Sequence, residues 1–361
     1  MRKLRIPVAE PELGEQELRN VTAAVRSGWV SSKGEFINRF EKGFAKYIGK
    51  RYGVATCNGT AALHLALVCL GVGKGDEVVV PTLTFAAVPN AVRYTGAKPI
   101  FVDSHSTYWC IDPQKIRKRI SKRTKAIILV HLYGHPCDMD PILEIAQDNE
   151  LFLIEDCAEA HGAEYKRKRV GRFGFISCFS FYGNKILTTG EGGMCLTDSN
   201  EHASFMRRLR DHGMNPKKRY WHDVIGFNYR MTNVEAALGL AQIERINEVI
   251  AEKRRVYHTY MELLDHDNVI VQAIPKEATH GYWMVVVLVR NAAELRIALQ
   301  QQGIDSRPVF YPLNTMPPYQ GGSGRYLNAD KLHRYGIMLP SYPQLTDDQI
   351  QFICSIVNKH A

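Results

Sequence analysis

The order of apolar and polar positions along the chain predicts strands and helices in alternation. Short, mostly apolar runs are typical of strands that are buried on both faces of a sheet. Such runs occupy residues 77–80, 99–102, 126–132, 151–154, 178–181 and 194–196. Stretches with helical periodicity lie between several of them. Because alternating strands and helices build parallel sheets through right-handed crossovers, the pattern predicts an α/β fold with a mainly parallel sheet.

The pattern changes in the last third of the chain. It is helical over residues 205–212 and 232–250, and a charged stretch follows at 252–255. Mixed strand and helix patterns then resume. We therefore expect two domains, because a chain of 361 residues is long enough for one large and one small unit. The predicted limits are 1–250 for the large domain and 251–361 for a smaller C-terminal α/β domain.

Composition and cysteine usage narrow the class of protein. The chain is 45% hydrophobic and 23% charged, which is ordinary for a globular protein. No apolar stretch is long enough to span a membrane, and the basic N-terminus lacks the apolar core of a secretory signal. The eight cysteines are scattered, with no CxxC pair and no ligand spacing typical of a metal site. We expect reduced thiols, a cytoplasmic location, no metal and no membrane partner.

A net charge of +9 raises the question of nucleic-acid binding. The basic clusters lie at 115–125 and 166–169, and neither is interleaved with aromatic residues as a nucleic-acid surface would be. The first cluster fits the polar face of a helix, and the second fits an exposed hairpin. We expect no nucleic-acid partner, although a positive field would attract a small anionic ligand.

One lysine and one aspartate follow two of the predicted buried strands. Lys185 lies just past the run 178–181, and the run 151–154 is followed by two acids, Glu155 and Asp156. A desolvated lysine has a lowered pKa and can form a Schiff base, whereas the alternative is an ordinary surface lysine. Ligands gather beyond the carboxyl ends of parallel strands, where a buried carboxylate needs a cationic partner. The pyridinium nitrogen of pyridoxal phosphate is such a partner, so the pair predicts a pyridoxal phosphate site.

A possible phosphate site precedes both residues in the sequence. Gly59 and Thr60 open an apolar helix rich in alanine and leucine. The first N–H groups of a helix, its dipole and a hydroxyl side chain together bind phosphate. The alternative is that Thr60 belongs to an ordinary helix cap.

Three longer segments carry a family resemblance. They are EDCAEAHG (155–162), SFYGNKILTTGEGGM (180–194) and GFNYRMTNVEAALGLAQIERI (226–246). The chain resembles, from about Ile6 to its C-terminus, the DegT-type sugar-nucleotide aminotransferases. The resemblance implies a pyridoxal phosphate enzyme of the aspartate-aminotransferase type (fold type I) that transfers the amino group of L-glutamate to a nucleotide-linked keto sugar.

The finer resemblance concerns the sugar. Segments 27–41, 218–223 and 306–312 look most like the family members that aminate C4 of GDP-4-keto-6-deoxymannose for surface polysaccharides. The alternative keeps the chemistry but uses UDP- or dTDP-4-keto-6-deoxyglucose. Two other classes stay open: a pyridoxal phosphate-dependent sugar dehydratase and a silent cofactor-binding regulator. Relatives that dehydrate carry histidine in place of Lys185, so the lysine favours amino transfer.

The resemblance also assigns roles to residues around the cofactor. It implies that Lys185 holds the cofactor and relays protons, and that Asp156 pairs with the pyridinium nitrogen. The remaining cofactor contacts that it implies are Gly59, Thr60 and Ser180 on the phosphate, Phe85 stacked on the ring and Glu159 near the ring. The alternatives are a structural salt bridge for Asp156, a core position for Phe85 and a solvated helix position for Glu159.

Four further residues are assigned to the subunit interface and to the substrate. By resemblance, Asn228 reaches the cofactor phosphate of a neighbouring subunit, which implies a homodimer with shared active sites. The alternative is an asparagine that stabilises a turn. Arg219, Trp221 and Tyr311 lie in segments that form the sugar-nucleotide site in relatives, and an arginine fork suits a pyrophosphate. The aromatic residues could equally belong to an interface or to the core.

Overall fold

The computed structural model describes residues 6–319 and 324–361. The helices are α1 (Glu15–Arg26), α2 (Glu35–Ile48), α3 (Gly59–Cys69), α4 (Ala87–Tyr94), α5 (Pro113–Ile116), α6 (Met139–Asp148), α7 (Asn200–Arg210), α8 (Asn233–Glu244), α9 (Ile246–Leu263), α10 (Ala292–Gln301), α11 (Leu327–Tyr335) and α12 (Asp347–His360). The strands are β1 (Tyr52–Thr56), β2 (Glu77–Pro81), β3 (Lys98–Val102), β4 (Thr124–Val130), β5 (Phe152–Asp156), β6 (Glu164–Tyr165), β7 (Lys168–Arg169), β8 (Ile176–Ser180), β9 (Gly193–Thr197), β10 (Ile270–Val271), β11 (Ala278–Thr279), β12 (Val285–Leu288), β13 (Arg307–Pro308) and β14 (Gly336–Leu339).

A seven-stranded sheet forms the centre of the N-terminal part, in the order β1-β9-β8-β5-β4-β2-β3. Strand β9 runs antiparallel to both of its neighbours, and the other neighbouring pairs are parallel. Every residue of β2, β8 and β9 is buried, as the mostly apolar runs predict. The predicted mainly parallel sheet is therefore confirmed.

The reversal at β9 brings several chain segments to one edge of this sheet. Gly193, the first residue of β9, pairs with Thr56 at the end of β1 and with Ser180 at the end of β8. A Cβ atom on Gly193 would lie 2.3 Å from the backbone oxygen of Asn58, so only glycine lets the chain pass here. The carboxyl ends of β1 and β8 and the start of α3 thus lie side by side.

A second, antiparallel sheet with the order β10-β12-β14-β13 forms the C-terminal part. It has its own apolar core, in which α9, α10 and α12 supply buried residues. The predicted long helix 232–250 is interrupted at Arg245, which leaves helical geometry and forms ion pairs with Glu12 and Glu17. The charged stretch 252–255 lies inside α9. The domain limits 1–250 and 251–361 stay a prediction.

Two further features concern the chain as a whole. Within residues 6–319 and 324–361, no helix combines the length and the apolar character that crossing a membrane requires. All eight cysteines are free thiols; seven are buried, and Cys57, between β1 and α3, is partly accessible. Cys178 and Cys195 face each other across β8 and β9.

Candidate active site

A cavity of about 540 Å³ opens beyond the carboxyl ends of the large sheet. The predicted residues that line it are Gly59, Thr60, Phe85, Asp156, Glu159, Ser180 and Lys185. The fold therefore brings together residues that are up to 126 positions apart, because β5, β8 and the start of α3 all reach the same edge of the sheet.

Lys185 lies on the loop that connects β8 to β9. Its side chain is 12% exposed, and its amine is 3.9 Å from Glu159 Oε1 and 3.9 Å from the centre of the Trp283 ring. Burial lowers the pKa of Lys185, while the charges of Glu159 and Asp156 oppose this shift. The lysine is thus a shielded amine rather than an ordinary surface lysine.

Asp156 is the last residue of β5 and is buried. Its Oδ1 accepts a hydrogen bond from the Ala158 N–H at 3.0 Å. Burial raises the pKa of Asp156, and the Ala158 N–H, Lys185 and His131 oppose this shift. Among the described residues no salt bridge holds its carboxylate, in contrast to the alternative drawn from the sequence. An acid in this position favours a cationic ligand atom.

Glu159 is only 3% exposed, so it is not a solvated helix residue. Its Oε2 accepts the Tyr133 N–H at 2.7 Å. Tyr133 has a φ of 59°, within a tight turn that follows β4. Burial raises the pKa of Glu159 to about 7, although Lys185 and the Tyr133 N–H oppose the rise. This side chain can therefore exchange a proton near neutral pH.

The start of α3 forms a cradle for an anion. Asn58 caps the helix by accepting the Ala61 N–H at 2.8 Å. The N–H groups of Gly59 and Thr60 belong to the first turn, so they have no acceptor within the helix. Ser180 lies against this turn, since a Cβ atom on Gly59 would be 2.8 Å from its Cβ. Free N–H groups, a hydroxyl and the positive end of the helix suit a phosphate.

Phe85 forms part of the rim of the cavity. It is 61% exposed and its ring lies 6.1 Å from that of Phe310, so it is not a core residue. The exposed ring is accessible for stacking on a planar ligand.

Four predicted residues do not line the cavity of their own chain. Asn228 accepts a hydrogen bond from Arg230 Nε at 3.0 Å, and the Arg219 guanidinium lies over the Tyr220 ring. Trp221 is exposed and donates from Nε1 to Asp223, and Tyr311 packs on His333. The segment that carries Asn228, Arg219 and Trp221 lies between α7 and α8, on the outside of the chain.

The sequence did not reveal several residues of the cavity. Trp283, from the segment before β12, contacts the Lys185 amine and donates from Nε1 to the Asn184 oxygen at 2.7 Å. No local pattern links it to a residue nearly a hundred positions earlier. Asn58 was detectable, because an asparagine before Gly-Thr and an apolar run is typical of a helix N-cap.

A buried polar cluster lies behind Asp156. Ligand atoms of His131, Glu155 and Cys157 lie within 4.8 Å of one another, which resembles a metal site. However, His131 Nδ1 accepts the Cys137 N–H at 3.0 Å, and Nε2 faces Glu155 at 3.1 Å. Glu155 also accepts three backbone N–H groups from residues 171–174, and burial raises the pKa of the Cys157 thiol. These hydrogen bonds fix the end of β5.

The residues present fit pyridoxal phosphate. The Asp156 carboxylate suits the ring nitrogen, the α3 cradle suits the phosphate and Lys185 suits the aldehyde carbon. Two side-chain atoms of residues that line the cavity, Thr84 Oγ1 and Asn184 Oδ1, are buried without a hydrogen-bond partner among the described residues. Buried polar atoms of this kind are typical of a site that a ligand completes.

The chain is similar in sequence to known aminotransferases. The model of the DegT/DnrJ/EryC1/StrS aminotransferase family matches residues 11–358. The chain is 47% identical to a GDP-perosamine synthase of Escherichia coli O157:H7 over 357 residues, 98% of each chain. It is 44% identical to a GDP-perosamine synthase of Caulobacter vibrioides over 363 residues, again 98% of each.

A solved structure agrees with these matches. The putative sugar aminotransferase Spr1654 from Streptococcus pneumoniae, in its PLP-form, superposes with a TM-score of 0.94 at 25% identity, covering 99% of both chains. The predicted aspartate-aminotransferase type of fold is confirmed, and so is the prediction of an aminotransferase. The chain belongs to the DegT/DnrJ/EryC1/StrS aminotransferase family.

Proposed function

We propose that this aminotransferase uses pyridoxal phosphate to move the amino group of L-glutamate to C4 of GDP-4-keto-6-deoxymannose, which yields GDP-perosamine. The observation that carries the proposal is the cavity of about 540 Å³ in which Lys185 lies beside Asp156, Glu159 and the α3 cradle. The choice of sugar is supported by the relatives at 47% and 44% identity, both named GDP-perosamine synthase. The product would serve surface polysaccharide, such as O-antigen.

The cofactor supplies an electron sink that stabilises negative charge on the substrate carbon. Asp156 would hold the ring nitrogen, a contact that would neutralise its buried carboxylate. The N–H groups of Gly59 and Thr60 and the Ser180 hydroxyl would hold the phosphate. Phe85 would pack against the ring and help to exclude water.

Lys185 moves the protons of the reaction. In the first half-reaction its neutral amine would take the proton from Cα of glutamate and release it again within that half-reaction, and the carbon skeleton leaves as 2-oxoglutarate while the amino group stays in the site. In the second half-reaction the same amine would take up a proton and deliver it to C4 of the sugar, so the lysine ends each half-reaction in the state in which it began. Burial, which lowers the pKa of Lys185, favours the neutral base. Because burial raises the pKa of Glu159 to about 7, the carboxyl group beside this amine is partly charged and partly protonated near neutral pH.

A homodimer with shared sites accounts for the residues outside the cavity. Asn228, Arg219 and Trp221 lie on the exterior of their own chain, so they can serve a cavity of a second copy. In this arrangement Asn228 contacts the partner's cofactor phosphate, and Arg219 and Trp221 contact the nucleotide-sugar. Tyr311 also contacts the nucleotide-sugar, and the enzyme works in the cytoplasm, where its free thiols stay reduced.

Mixing two inactive variants tests the shared site. Lys185→Ala and Asn228→Ala chains are each expected to be weakly active or inactive as homodimers. A mixed dimer carries one site with both native residues, so unfolding and refolding the two variants together restores up to about a quarter of the wild-type activity. If the mixture stays at the level of the separate variants, Asn228 does not serve the partner's site.

An amino-transfer assay tests the substrate. Purified enzyme is incubated with glutamate and GDP-, UDP- or dTDP-linked 4-keto-6-deoxy sugars, and mass spectrometry follows the change from ketone to amine. Preference for the GDP sugar with release of 2-oxoglutarate is the expected result. Preference for a UDP or dTDP sugar keeps the reaction and overturns the sugar. Dehydration without 2-oxoglutarate, or no reaction on any sugar, overturns the reaction itself.

A further inference from the structure

A buried lysine on α9 lies behind the cavity. Lys253 is 4% exposed. Its amine donates to the Trp283 backbone oxygen at 2.8 Å, to Ser341 Oγ at 2.9 Å and to the Ser341 backbone oxygen. A neutral amine has two hydrogens to donate, whereas an ammonium has three. Three acceptors therefore match the charged form, and among the described residues no carboxylate forms an ion pair with it.

Trp283 connects this lysine to Lys185. The Trp283 backbone oxygen accepts from Lys253, its Nε1 donates to the Asn184 oxygen at 2.7 Å, and its ring lies 3.9 Å from the Lys185 amine. Asn184 directly precedes Lys185, so one tryptophan fixes both the backbone and the amine of the same segment. Both lysines and Trp283 also line a small cavity of about 20 Å³, which is room for a single water.

We propose that Lys253 and Trp283 form a positioning pair that holds the Lys185 amine toward the cavity and stabilises its charged form. The proposal rests on the role of Lys185 given under the proposed function. Lys253 anchors the Trp283 backbone, and the π face of the indole attracts the Lys185 ammonium. Lys253 touches neither substrate nor cofactor and acts only through Trp283.

The charged groups around each lysine agree with this arrangement. Lys185 faces the acids Glu159 and Asp156, and His161 stays neutral nearby, since burial and Lys185 lower its pKa to about 3. Burial lowers the pKa of Lys253 to about 7, so near neutral pH its amine is partly the ammonium, which can donate to all three acceptors, and partly the neutral amine, which can donate to two. Burial, His135 and Lys253 lower the pKa of His280, so that ring adds no charge. The Trp283 ring carries no charge, and it favours the ammonium of Lys185 through its π face.

Labelling of the cofactor-free enzyme tests the pair. The protein is stripped of cofactor and exposed briefly to an amine-reactive reagent across a range of pH, and mass spectrometry measures the labelled fraction of Lys185. In Trp283→Leu the ammonium loses the π face, so the midpoint of labelling moves to lower pH, by roughly a tenfold change in proton concentration. Lys253→Met moves the midpoint in the same direction. Trp283→Phe keeps an aromatic face and restores most of the wild-type midpoint.

Controls separate this role from general loss of packing. Lys50 is also buried, and it donates to Gly174 O and to Asp198 rather than to Trp283, so Lys50→Met is expected to leave the midpoint unchanged. In the double variant Trp283→Leu/Lys253→Met the two shifts do not add, because Lys253 acts through the tryptophan. If Trp283→Leu does not fold, Lys253→Met alone decides the outcome.

The results that overturn the proposal are distinct from a failure of the proposed function. A midpoint that stays at its wild-type value, or moves to higher pH, in folded Lys253→Met refutes the positioning pair, as does additivity in the double variant. Labelling requires neither cofactor nor turnover. Shifted midpoints in a protein without amino transfer would therefore refute the proposed function and keep the pair, whereas unshifted midpoints in an active enzyme would refute only the pair.

Discussion

The amine of Lys185 lies 3.9 Å from Oε1 of Glu159, within a cavity that shields both side chains from water. Burial lowers the pKa of the lysine and raises that of the glutamate to about 7. Each charge stabilises the other, so the protonation of one side chain depends on that of its neighbour. Glu159 can therefore exchange a proton near neutral pH, to an extent that depends on the charge of Lys185.

Glu159→Gln removes the negative charge but keeps an oxygen that can accept the Tyr133 N–H. Because the carboxylate raises the pKa of Lys185, the variant needs less alkaline conditions to free the amine. We expect the acidic limb of kcat/KM to move to lower pH, by roughly tenfold in proton concentration. The pH profile of amino transfer measures this. Glu248→Gln, at an exposed position, serves as the control, and an unmoved limb in Glu159→Gln would contradict the coupling.

Lys185→Ala removes the proposed proton carrier. We expect a loss of amino transfer of at least about 10³-fold, because a positioned general base contributes on this order. Release of 2-oxoglutarate measures turnover, and circular dichroism and thermal unfolding check that the fold is unchanged. Lys166→Ala, at an exposed hairpin, is expected to keep normal turnover. A normal rate in Lys185→Ala would refute the assignment of the lysine.

Gly193→Ala tests the close passage between β9 and α3. The added Cβ would lie 2.3 Å from the Asn58 oxygen, and a backbone atom has little freedom to move away. We expect a loss of about 1–3 kcal/mol in the free energy of unfolding and weaker cofactor binding, since the start of α3 must shift. Denaturant unfolding and a cofactor titration measure the two effects. Gly183→Ala, whose Cβ would meet no atom within 4 Å, should show neither.

The buried His161 is expected to make the fold less stable at acidic pH. Its ring packs among Phe44, Phe179 and Phe181, neither ring nitrogen has a partner among the described residues, and burial lowers its pKa to about 3. The unfolded chain, with an ordinary histidine pKa of about 6.5, binds more protons between these values. The stability contribution of His161 is thus present above pH 6.5 and is lost as the pH falls toward 3, by at most about 1.4 kcal/mol per pH unit.

His161→Leu removes this titration at similar side-chain volume. We expect the free energy of unfolding of the wild type to fall relative to that of the variant as the pH is lowered from about 7 to 4.5. Urea unfolding at several pH values measures it. A difference that is constant over this range would show that the ring binds a proton as readily in the folded protein as in the unfolded chain, which would contradict the prediction.

The strand ends of the site could be predicted from the sequence. Asp156 lies two residues past one mostly apolar run and Lys185 lies just past another, so a parallel sheet brings them to one edge. Gly59 and Thr60 open an apolar helix, and this too is a local pattern. The structure places all four on one cavity.

Contacts between distant segments could not be predicted. Trp283 reaches Lys185 from the C-terminal part of the chain, and its neighbours in sequence give no sign of this. The Tyr133 N–H reaches Glu159 because Tyr133 has a left-handed backbone, which its residue type does not predict. The helical pattern of residues 232–250 did not indicate the break at Arg245, because the break depends on ion pairs with residues near the N-terminus.

The cysteines differ in accessibility, so their reaction rates report on the opening of the structure. Seven of the eight cysteines are buried, and Cys57, the residue before the N-cap of α3, is partly accessible. Buried thiols react only when the surrounding structure opens, whereas an accessible thiol reacts from the native state. A single thiol reagent therefore separates two rates in one unlabelled sample: the reaction of Cys57 in the folded protein, where burial raises the pKa of its thiol, and the reaction of the other seven cysteines as the structure opens.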